Sequence, residues 1–471
     1  MTILGFSQGF QNYYGNSGQD RGYGVDVNAE GMIAIVGTTA SYNDNTDGYL
    51  LILNPDGVMV ATQAVGGPGS DKLTEVIFDE EWIIAIGTYN DVEEGDYDIW
   101  VVRFDMEGEV ANEVFFDSGD WDFGEEIILI ESNAFLITGD TYGGGFGQVD
   151  SYIARLDVNF EVVYELYAGG AEDDVLRGGT FIGQDTLVLM GSTRIAEDNR
   201  DGWGLWMNPT TGEILDNWTY GDSFDQHFND VILGAAGNLI CVGTNDNGPP
   251  TAGEDEIYAL LIDVDGNFVQ ERFLGGTAND GAEAITQLNS NELAIAGYTY
   301  SFGVNSAASP NAKVYRTTQT GGWQPGMNPT LGESEHELFH DVAKCPDGGY
   351  VAVGEAREAG SLVDYVFVLK VDADNNYPEA FTIELDANDV EDLTVLGWDL
   401  TIAQNQLQIS GPTLADDGSI LIHDIQGRRL GQWQLDANQI SLDLTAFANG
   451  LYVVNIIQNG QLVGSSKVVL R

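Results

Sequence analysis

An all-β chain, a seven-bladed β-propeller followed by a small C-terminal β-sandwich, is the fold the sequence predicts, on three observations. Sixty glycines and 10% aromatic residues accompany almost no sustained amphipathic 3.6-residue pattern, so short strands and tight turns dominate. A strand-like run ending in glycine recurs seven times, at intervals of 50 to 57 residues. At 471 residues the chain also exceeds what one compact core usually supports, which suits one large β architecture plus a smaller domain.

The recurring glycines are Gly37, Gly87, Gly139, Gly191, Gly243, Gly297 and Gly354, and their interval is the length of a four-stranded blade. An acidic residue stands 16 to 18 positions before each: Asp20, Asp71, Asp122, Asp174, Asp225, Asp280 and Glu337. Ten to sixteen positions after the glycine, Asp47, Asp98, Asp150, Asp201, Glu256, Lys313 or Asp364 opens an apolar third strand, which ends at a hairpin such as Asn54-Pro-Asp-Gly57. Two places into that strand lies an aromatic residue in six copies (Tyr49, Trp100, Tyr152, Trp203, Tyr258 and Tyr315), and in the seventh Tyr365 is displaced by one. A residue repeated in this way serves packing between blades rather than a sugar-stacking belt.

Each unit thus holds four strands, as in Tyr23 to Asn28, Met32 to Thr38, Gly48 to Leu53 and Val58 to Val65 of the first. Seven such units closing into a ring hide the sheet edges that would otherwise pair with other chains. Phe6 to Tyr14 and Phe381 to Leu385 compete for the outer strand of the last blade. The predicted domains are residues 1–389, the propeller, and 390–471, the terminal domain.

The formal charge is −58, and residues 1–390 carry nearly all of it, with 67 acidic against 13 basic side chains. Such a surface repels phosphate backbones and anionic lipid headgroups, so nucleic acid is not an expected partner. An acidic coat of this kind keeps an exported protein soluble, and a cation-binding surface is the alternative reading. No run approaches 18 apolar residues, so no transmembrane segment is expected, and the start Met-Thr-Ile-Leu-Gly-Phe lacks the order of a signal peptide, as a mature exported form would. The two cysteines, Cys241 and Cys345, sit in apolar strand-like runs and read as core residues, not a disulfide scaffold.

After Asp389 the fifty-residue phase stops. Ile420-Leu-Ile-His-Asp424-Ile-Gln-Gly427-Arg428-Arg429-Leu, then Ile440 to Leu444, then Phe447-Ala-Asn-Gly450-Leu-Tyr452, and finally Lys467-Val-Val-Leu-Arg471, mark strands entering glycine turns. These segments resemble the type A sorting domain of the type IX secretion system of Bacteroidetes. The Asn-Pro pair usual near that family's first strand is replaced around Ala403-Gln404-Asn405. The repeats of residues 15 to 388 likewise resemble the glycine-rich propeller repeats of secreted Bacteroidetes proteins. The resemblance implies a cargo read by the outer-membrane translocon and its shuttle or sortase proteins, carried through the periplasm to the outer surface or the medium. It assigns the sorting motif to Asp424, Gly427, Arg428, Arg429, Gly450, Tyr452 and Lys467.

His336-Glu-Leu-Phe-His340 matches the His-Glu-x-x-His pattern of zinc proteases, which needs a helix to bring both imidazoles to one metal. Repeat phase instead makes it a first strand, where the two side chains would lie about 13 Å apart at about 3.3 Å per residue. Neither a catalytic residue nor a metal ligand set is therefore assigned. The acidic stretches Asp91 to Asp98, Glu197 to Asp201 and Glu254 to Glu256 offer the oxygen ligands calcium prefers, which leaves structural calcium as an expectation. Loops that break the repeat, Asn245 to Asp255, Ser301 to Asn311 and Gly321 to His336, are the expected binding face, with Trp323 and His336 as candidate ligand contacts. The functional expectation is a non-enzymatic module that binds a glycan or a protein. A polysaccharide-active hydrolase or lyase with carboxylates in the propeller channel, and a passive structural cargo, are the alternatives.

Overall fold

The computed structural model of the chain describes residues 9–16, 18–42, 45–131, 134–196, 199–246, 255–303, 308–319, 330–331, 336–357, 363–377 and 382–384, and, in the C-terminal part, 399–403, 406–410, 419–424, 429–434, 439–443, 450–458 and 461–470. No helix occurs among the described residues, and the chain divides into two compact units, Met1–Leu385 and Asp386–Arg471.

Strand β1 (Phe10–Tyr14) precedes seven repeats. Blade 1 is β2–β5 (Asp20–Val27, Ile33–Thr39, Asp47–Leu53, Met59–Val65) and blade 2 is β6–β9 (Lys72–Asp79, Trp82–Asp91, Asp96–Phe104, Val110–Phe116). Blade 3 is β10–β13 (Asp122–Glu131, Ala134–Thr141, Asp150–Leu156, Val162–Ala168), and blade 4 is β14–β17 (Asp174–Ile182, Thr186–Ala196, Asn199–Met207, Ile214–Tyr220). Blade 5 is β18–β21 (Gln226–Leu233, Leu239–Asn245, Glu256–Ile262, Phe268–Leu274), and blade 6 is β22–β25 (Asp280–Gln287, Glu292–Thr299, Asn311–Thr318, Thr330–Leu331). Blade 7 supplies β26–β28 (His336–Lys344, Tyr350–Arg357, Asp364–Val371), followed by β29 (Thr382–Glu384).

The first six blades are antiparallel meanders paired in chain order. Blade 7 is completed by β1, antiparallel to β28 with Phe10 opposite Lys370, and β29 then runs parallel along the outside of β1. Of the two segments that compete for the closing place, the N-terminal one takes it and the other adds a fifth strand. The reason lies in burial: every residue of β1 is buried, and the Tyr14 hydroxyl donates to the carbonyl of Gly57 in blade 1 at 2.5 Å.

Continuous apolar runs mark strands covered on both faces, and the second and third strands are of this kind, with Ile33–Thr39 and Asp47–Leu53 buried throughout. Outer strands such as Val110–Phe116 are largely exposed. The core is accordingly a ring of separate clusters, each between adjacent blades; one joins Tyr49 and Leu51 of blade 1 to Val353 and Val366 of blade 7. Third-strand cations reach the hairpin of the next blade: Arg103 donates to the Val158 carbonyl at 2.6 Å, Arg155 to Thr210 at 3.0 Å and Lys370 to Pro55 at 3.0 Å. These hairpins are β-turns closed by their first side chain, as where Asp263 accepts from the backbone N–H groups of Asp265 and Asn267.

The acidic residue at the start of each blade ties down the loop that enters it. Asp71 accepts from Gly67 N–H at 2.6 Å and Asn90 N–H at 2.7 Å, and Asp20, Asp122, Asp174 and Asp280 likewise accept from the residue four places earlier. In blade 5 the place belongs to Gln226, which accepts from Asp222 N–H at 3.0 Å, and not to Asp225 as the repeat count predicts. An amide oxygen accepts the same bond, so the position needs an acceptor rather than a charge.

Register corrects two further assignments. Six of the seven repeat glycines lie opposite a third-strand aromatic, as Gly37 faces Tyr49 and Gly243 faces Tyr258; in blade 7 that aromatic is Phe367, opposite Gly354, and not Tyr365, whereas in blade 6 Gly297 faces Lys313. In blade 6 the residue that pairs as Asp47 does is therefore Asn311, and Tyr315 packs from two places further on. Lys313 is buried beside the rings of Phe302 and Tyr315, and burial lowers its pKa to about 8.

In the second unit, β30 (Asp399–Ala403), β31 (Gln406–Ser410) and β34 (Gln439–Asp443) form one sheet in the order β30-β31-β34. The other is β33-β32-β35-β36, from β32 (Ser419–Asp424), β33 (Arg429–Gln434), β35 (Gly450–Gln458) and β36 (Gln461–Leu470).

Candidate functional site

The register of all seven first strands slips by one residue at the same phase, leaving Tyr23, Thr74, Glu125, Arg177, Asn229, Glu283 and His340 without a cross-strand partner. The repeat glycines exist because of these β-bulges. A Cβ on Gly37, Gly87, Gly139, Gly191, Gly243, Gly297 or Gly354 would collide with the carbonyl oxygen of Arg21, Lys72, Phe123, Val175, His227, Gly281 or Leu338, two places before the bulged residue. One recurring glycine thus re-aims one variable side chain per blade.

All seven bulged residues line the central channel, a cavity of about 720 Å³. Several belong to struts between blades. Thr74 donates to the Gly124 carbonyl at 2.9 Å, and Asn229 donates to the Ala282 carbonyl at 2.9 Å and to Glu283 at 3.2 Å. Arg177 pairs with Asp140 at 2.7 Å and lies 3.8 Å from Glu125. The neighbouring acids bridge backbones: Asp26 accepts from Phe78 N–H, Asp230 from Ile285 N–H and Asp341 from Val25 N–H, each at 2.7–2.8 Å. Burial pushes Asp230 and Glu283 up to about 7 and Asp341 to about 6. Burial and then the like charges of Asp341 and Glu126 push Glu75 well above the usual carboxylate range. His340, next to Asp341 in β26, packs on Tyr23 with ring centroids 4.8 Å apart, and the Lys72 ammonium sits 4.2 Å from the Tyr23 centroid. Burial holds His340 down at about 4, so it is neutral at physiological pH.

Beside the channel mouth, blades 3 to 5 enclose a second cavity of about 380 Å³, lined by Asp140, Tyr142, Asp173, Arg177, Arg200 and His227. Asp173 receives both Arg194, at 2.8 Å, and Arg200, at 3.2 Å. Tyr142 also belongs to a cluster of four rings with Tyr97, Trp121 and Phe123, whose centroids lie 5.4–6.5 Å apart. Trp121 and Tyr142 are 47% and 45% exposed, unusual for large rings that already have neighbours. Phe146, on the same loop as Tyr142, is 72% exposed.

The loops that break the repeat lie in blades 5 and 6, whereas these rings belong to blades 2 and 3 and the turns beside them. The available signal was positional, since Trp121 fills a place held by Gln19, Ser70 and Asp173 in other blades. His336 lies at the start of β26, so the His-Glu-x-x-His stretch is strand; its Nε2 is 2.9 Å from Glu355, which also pairs with Arg21 at 2.8 Å. Burial opposes ionisation of Glu355, but the His336 hydrogen bond and Arg21 hold its pKa below the usual range. Trp323 lies outside the described residues, as do residues 247–254, 304–307 and 321–329 of the repeat-breaking loops. Among the described residues no three His, Cys, Asp or Glu side chains are grouped so as to hold a metal ion. Cys241 and Cys345 are free and buried.

In the second unit Asp424 ends β32 opposite Tyr452, Arg429 opens β33, Gly450 opens β35, and Lys467 pairs with Val453; Gly427 and Arg428 lie outside the described residues. Residues 403–471 match the secretion-system C-terminal sorting domain family. The class so defined is a propeller carrying an export tail. The chain is cargo of the type IX secretion system, delivered to the cell surface or the extracellular space. No helix among the described residues is long and apolar enough to cross a membrane.

No curated protein matches the chain significantly. Similar solved structures include the Pan2 WD40 domain of Neurospora crassa, at 10% identity and a TM-score of 0.44 over 72% of this chain and 85% of that one. Another is the β-propeller domain of the Trilobed protease from Pyrococcus furiosus, at 12% identity and 0.42 over 77% and 95%. The extracellular domain of a hybrid two-component system from B. thetaiotaomicron gives 10% and 0.44 over 98% of this chain, which spans 57% of that one. Likenesses this distant carry no functional argument, and the propeller assignment rests on the seven sheets themselves.

Proposed function

We propose that the exported propeller is a non-enzymatic module that binds a glycan at the aromatic rim beside its channel mouth. The observation that carries this reading is the shared position of Tyr142, which is both a member of the exposed ring cluster and part of the wall of the 380 Å³ cavity. Ring faces offer flat apolar ground for the C–H face of a sugar, and the Asp140–Arg177 and Asp173–Arg200 pairs beside them present acceptors and donors for hydroxyl groups. Commitment of Asp26, Asp230 and Asp341 to backbone struts supports recognition over hydrolysis, because a general acid or base must be free to exchange its proton with substrate. We read the two sheets of the second unit as the sandwich of the sorting domain, and the propeller as the part that acts after export.

A glycan array probed with the whole chain and with Trp121→Ala tests the reading. Binding to one glycan class that the variant loses by roughly tenfold or more supports it, as for a central aromatic contact. Equal binding by both chains, or none by either, rejects the rim as the site.

A further inference from the structure

The loop that carries Tyr142 to the rim has a second flank. It joins β11 to β12 and contains Gly143, Gly144, Gly145 and Gly147. Close approach requires two of these glycines: a Cβ on Gly143 would collide with the Ser118 side chain, and one on Gly144 with the Tyr167 ring. The loop is tied at both ends, since the Thr141 hydroxyl accepts from Gly143 N–H at 3.3 Å and the Asp150 carboxylate accepts from Phe146 N–H at 2.5 Å and Gly147 N–H at 2.7 Å. Against this second flank, in the seam between the outer strands of blades 2 and 3, lies a cavity of about 250 Å³. Ser118 and Tyr167, the side chains on which the glycines rest, line it together with Phe116, Tyr152, Asp117 and Glu165. Tyr152 meets both other rings, with centroids 6.1 Å from Phe116 and 5.6 Å from Tyr167. Glu165 accepts from the Tyr152 hydroxyl at 2.9 Å and Asp117 from Gly119 N–H at 2.6 Å; both carboxylates are exposed, and each has room for about four such bonds.

From this arrangement we infer that the ligand is an uncharged oligosaccharide that occupies two subsites at once, the ring cluster of Trp121 and Tyr142 and the cavity between blades 2 and 3, on either flank of the glycine loop. The inference rests on the glycan reading of the rim and adds the chemical class, a chain of several sugars without acid groups. Length follows from the shared loop: ring faces beside hydroxyl-accepting groups stand on both of its sides, so a sugar chain held at one subsite reaches the other as an intramolecular step. Lack of charge follows from the acceptors. Asp117 and Glu165 take hydroxyl donors and repel a carboxylate or sulfate, as does a chain whose formal charge is −58.

Isothermal titration of the whole chain with length ladders of neutral β-glucan, mannan and xylan oligosaccharides, and of oligogalacturonate as a charged control, tests it. The expected result is that one neutral ladder binds, with an affinity that rises with length and then levels off once both subsites are filled, and that the charged ladder does not bind. Tyr167→Ala, and Glu165→Ala at an exposed position, each weaken the longer sugars roughly tenfold and leave the shortest unchanged, whereas Trp121→Ala weakens every length. Thermal melts check that each variant is folded. If affinity does not rise with length, if neither cavity variant alters the length dependence, or if the charged ladder binds best, while Trp121→Ala still loses binding, the inference is overturned and the rim site stands. Binding that Trp121→Ala leaves unchanged, or no binding to any ladder, rejects the rim reading and the inference with it.

Discussion

The carbonyl oxygen of His227 occupies the space that a side chain on Gly243 would need, and this contact is the physical content of the repeat that defines the propeller. The bulge that brings His227 against Gly243 also turns Asn229 into the channel. Gly243→Ala therefore strains a buried strand pair without changing any channel group directly. A loss of about 2–3 kcal/mol, the upper range for forced overpacking, is expected in denaturant melts. An unchanged midpoint would show that the bulge relaxes freely.

Asp71 carries two backbone N–H groups, those of Gly67 and Asn90, and is 1% exposed. Asp71→Ala leaves both donors unpaired and is expected to cost about 1–3 kcal/mol, whereas Asp71→Asn, which keeps one acceptor, costs less. Blade 5 already works with an amide at this place, in Gln226. Thermal melts of the two variants, ranked against the parent, check the order.

Stability should fall as pH rises through the range in which the channel carboxyls ionise. Asp230 and Glu283 sit at about 7 and Asp341 at about 6, all raised first by burial, while unfolded carboxyls titrate near 4. Between about pH 4 and 7 the folded chain therefore holds protons that the unfolded chain has released, so their contribution is complete below pH 4 and is lost progressively up to pH 7. His340, depressed to about 4 by burial, acts in the opposite sense below its unfolded value of about 6.5, as one group against three. A melting temperature several degrees higher at pH 5.5 than at pH 7.5 is expected, and Glu283→Gln should flatten part of that slope. A flat profile in the parent would contradict the assignment.

Closure by β1 makes the N-terminus structural. Removing residues 1–14 takes away the fourth strand of blade 7, the Tyr14 hydrogen bond to Gly57 and the parallel partner of β29. Such a chain is expected to melt far below the parent, with hydrogen exchange rising first in β28. A chain ending at Leu385 keeps every propeller strand and should melt with the parent's propeller transition.

Much of this was legible in the sequence, for physical reasons that also explain what was not. Gly37, Gly87 and their successors mark blades because a bulge tolerates no side chain opposite it, but the sequence displays the glycine and hides the carbonyl that requires it. The channel residues could not be recognised, since Thr74, Arg177 and His340 share only a phase, and the bulge gives that phase its meaning. Asp225 was chosen over Gln226 because charge was counted where hydrogen-bond acceptance was the requirement. In blade 6 the insertion before Asn311 shifted the third-strand count, so Lys313 was read as an opener although it stands at the aromatic's place. Trp121 and Tyr142 went unseen because single exposed rings leave no periodic trace. The sorting segment was legible because its strands and glycine turns are local in sequence.

The claim that this propeller acts outside the cell, carried there by its tail, is tested most directly in a type IX-competent host. The whole chain and a chain lacking residues 403–471, each with the same leader for export to the periplasm, would be followed by fractionation. The whole chain is predicted at the surface or in the medium, and the shortened chain in the periplasm, folded as judged by protease resistance. Equal export of the shortened chain would contradict the account.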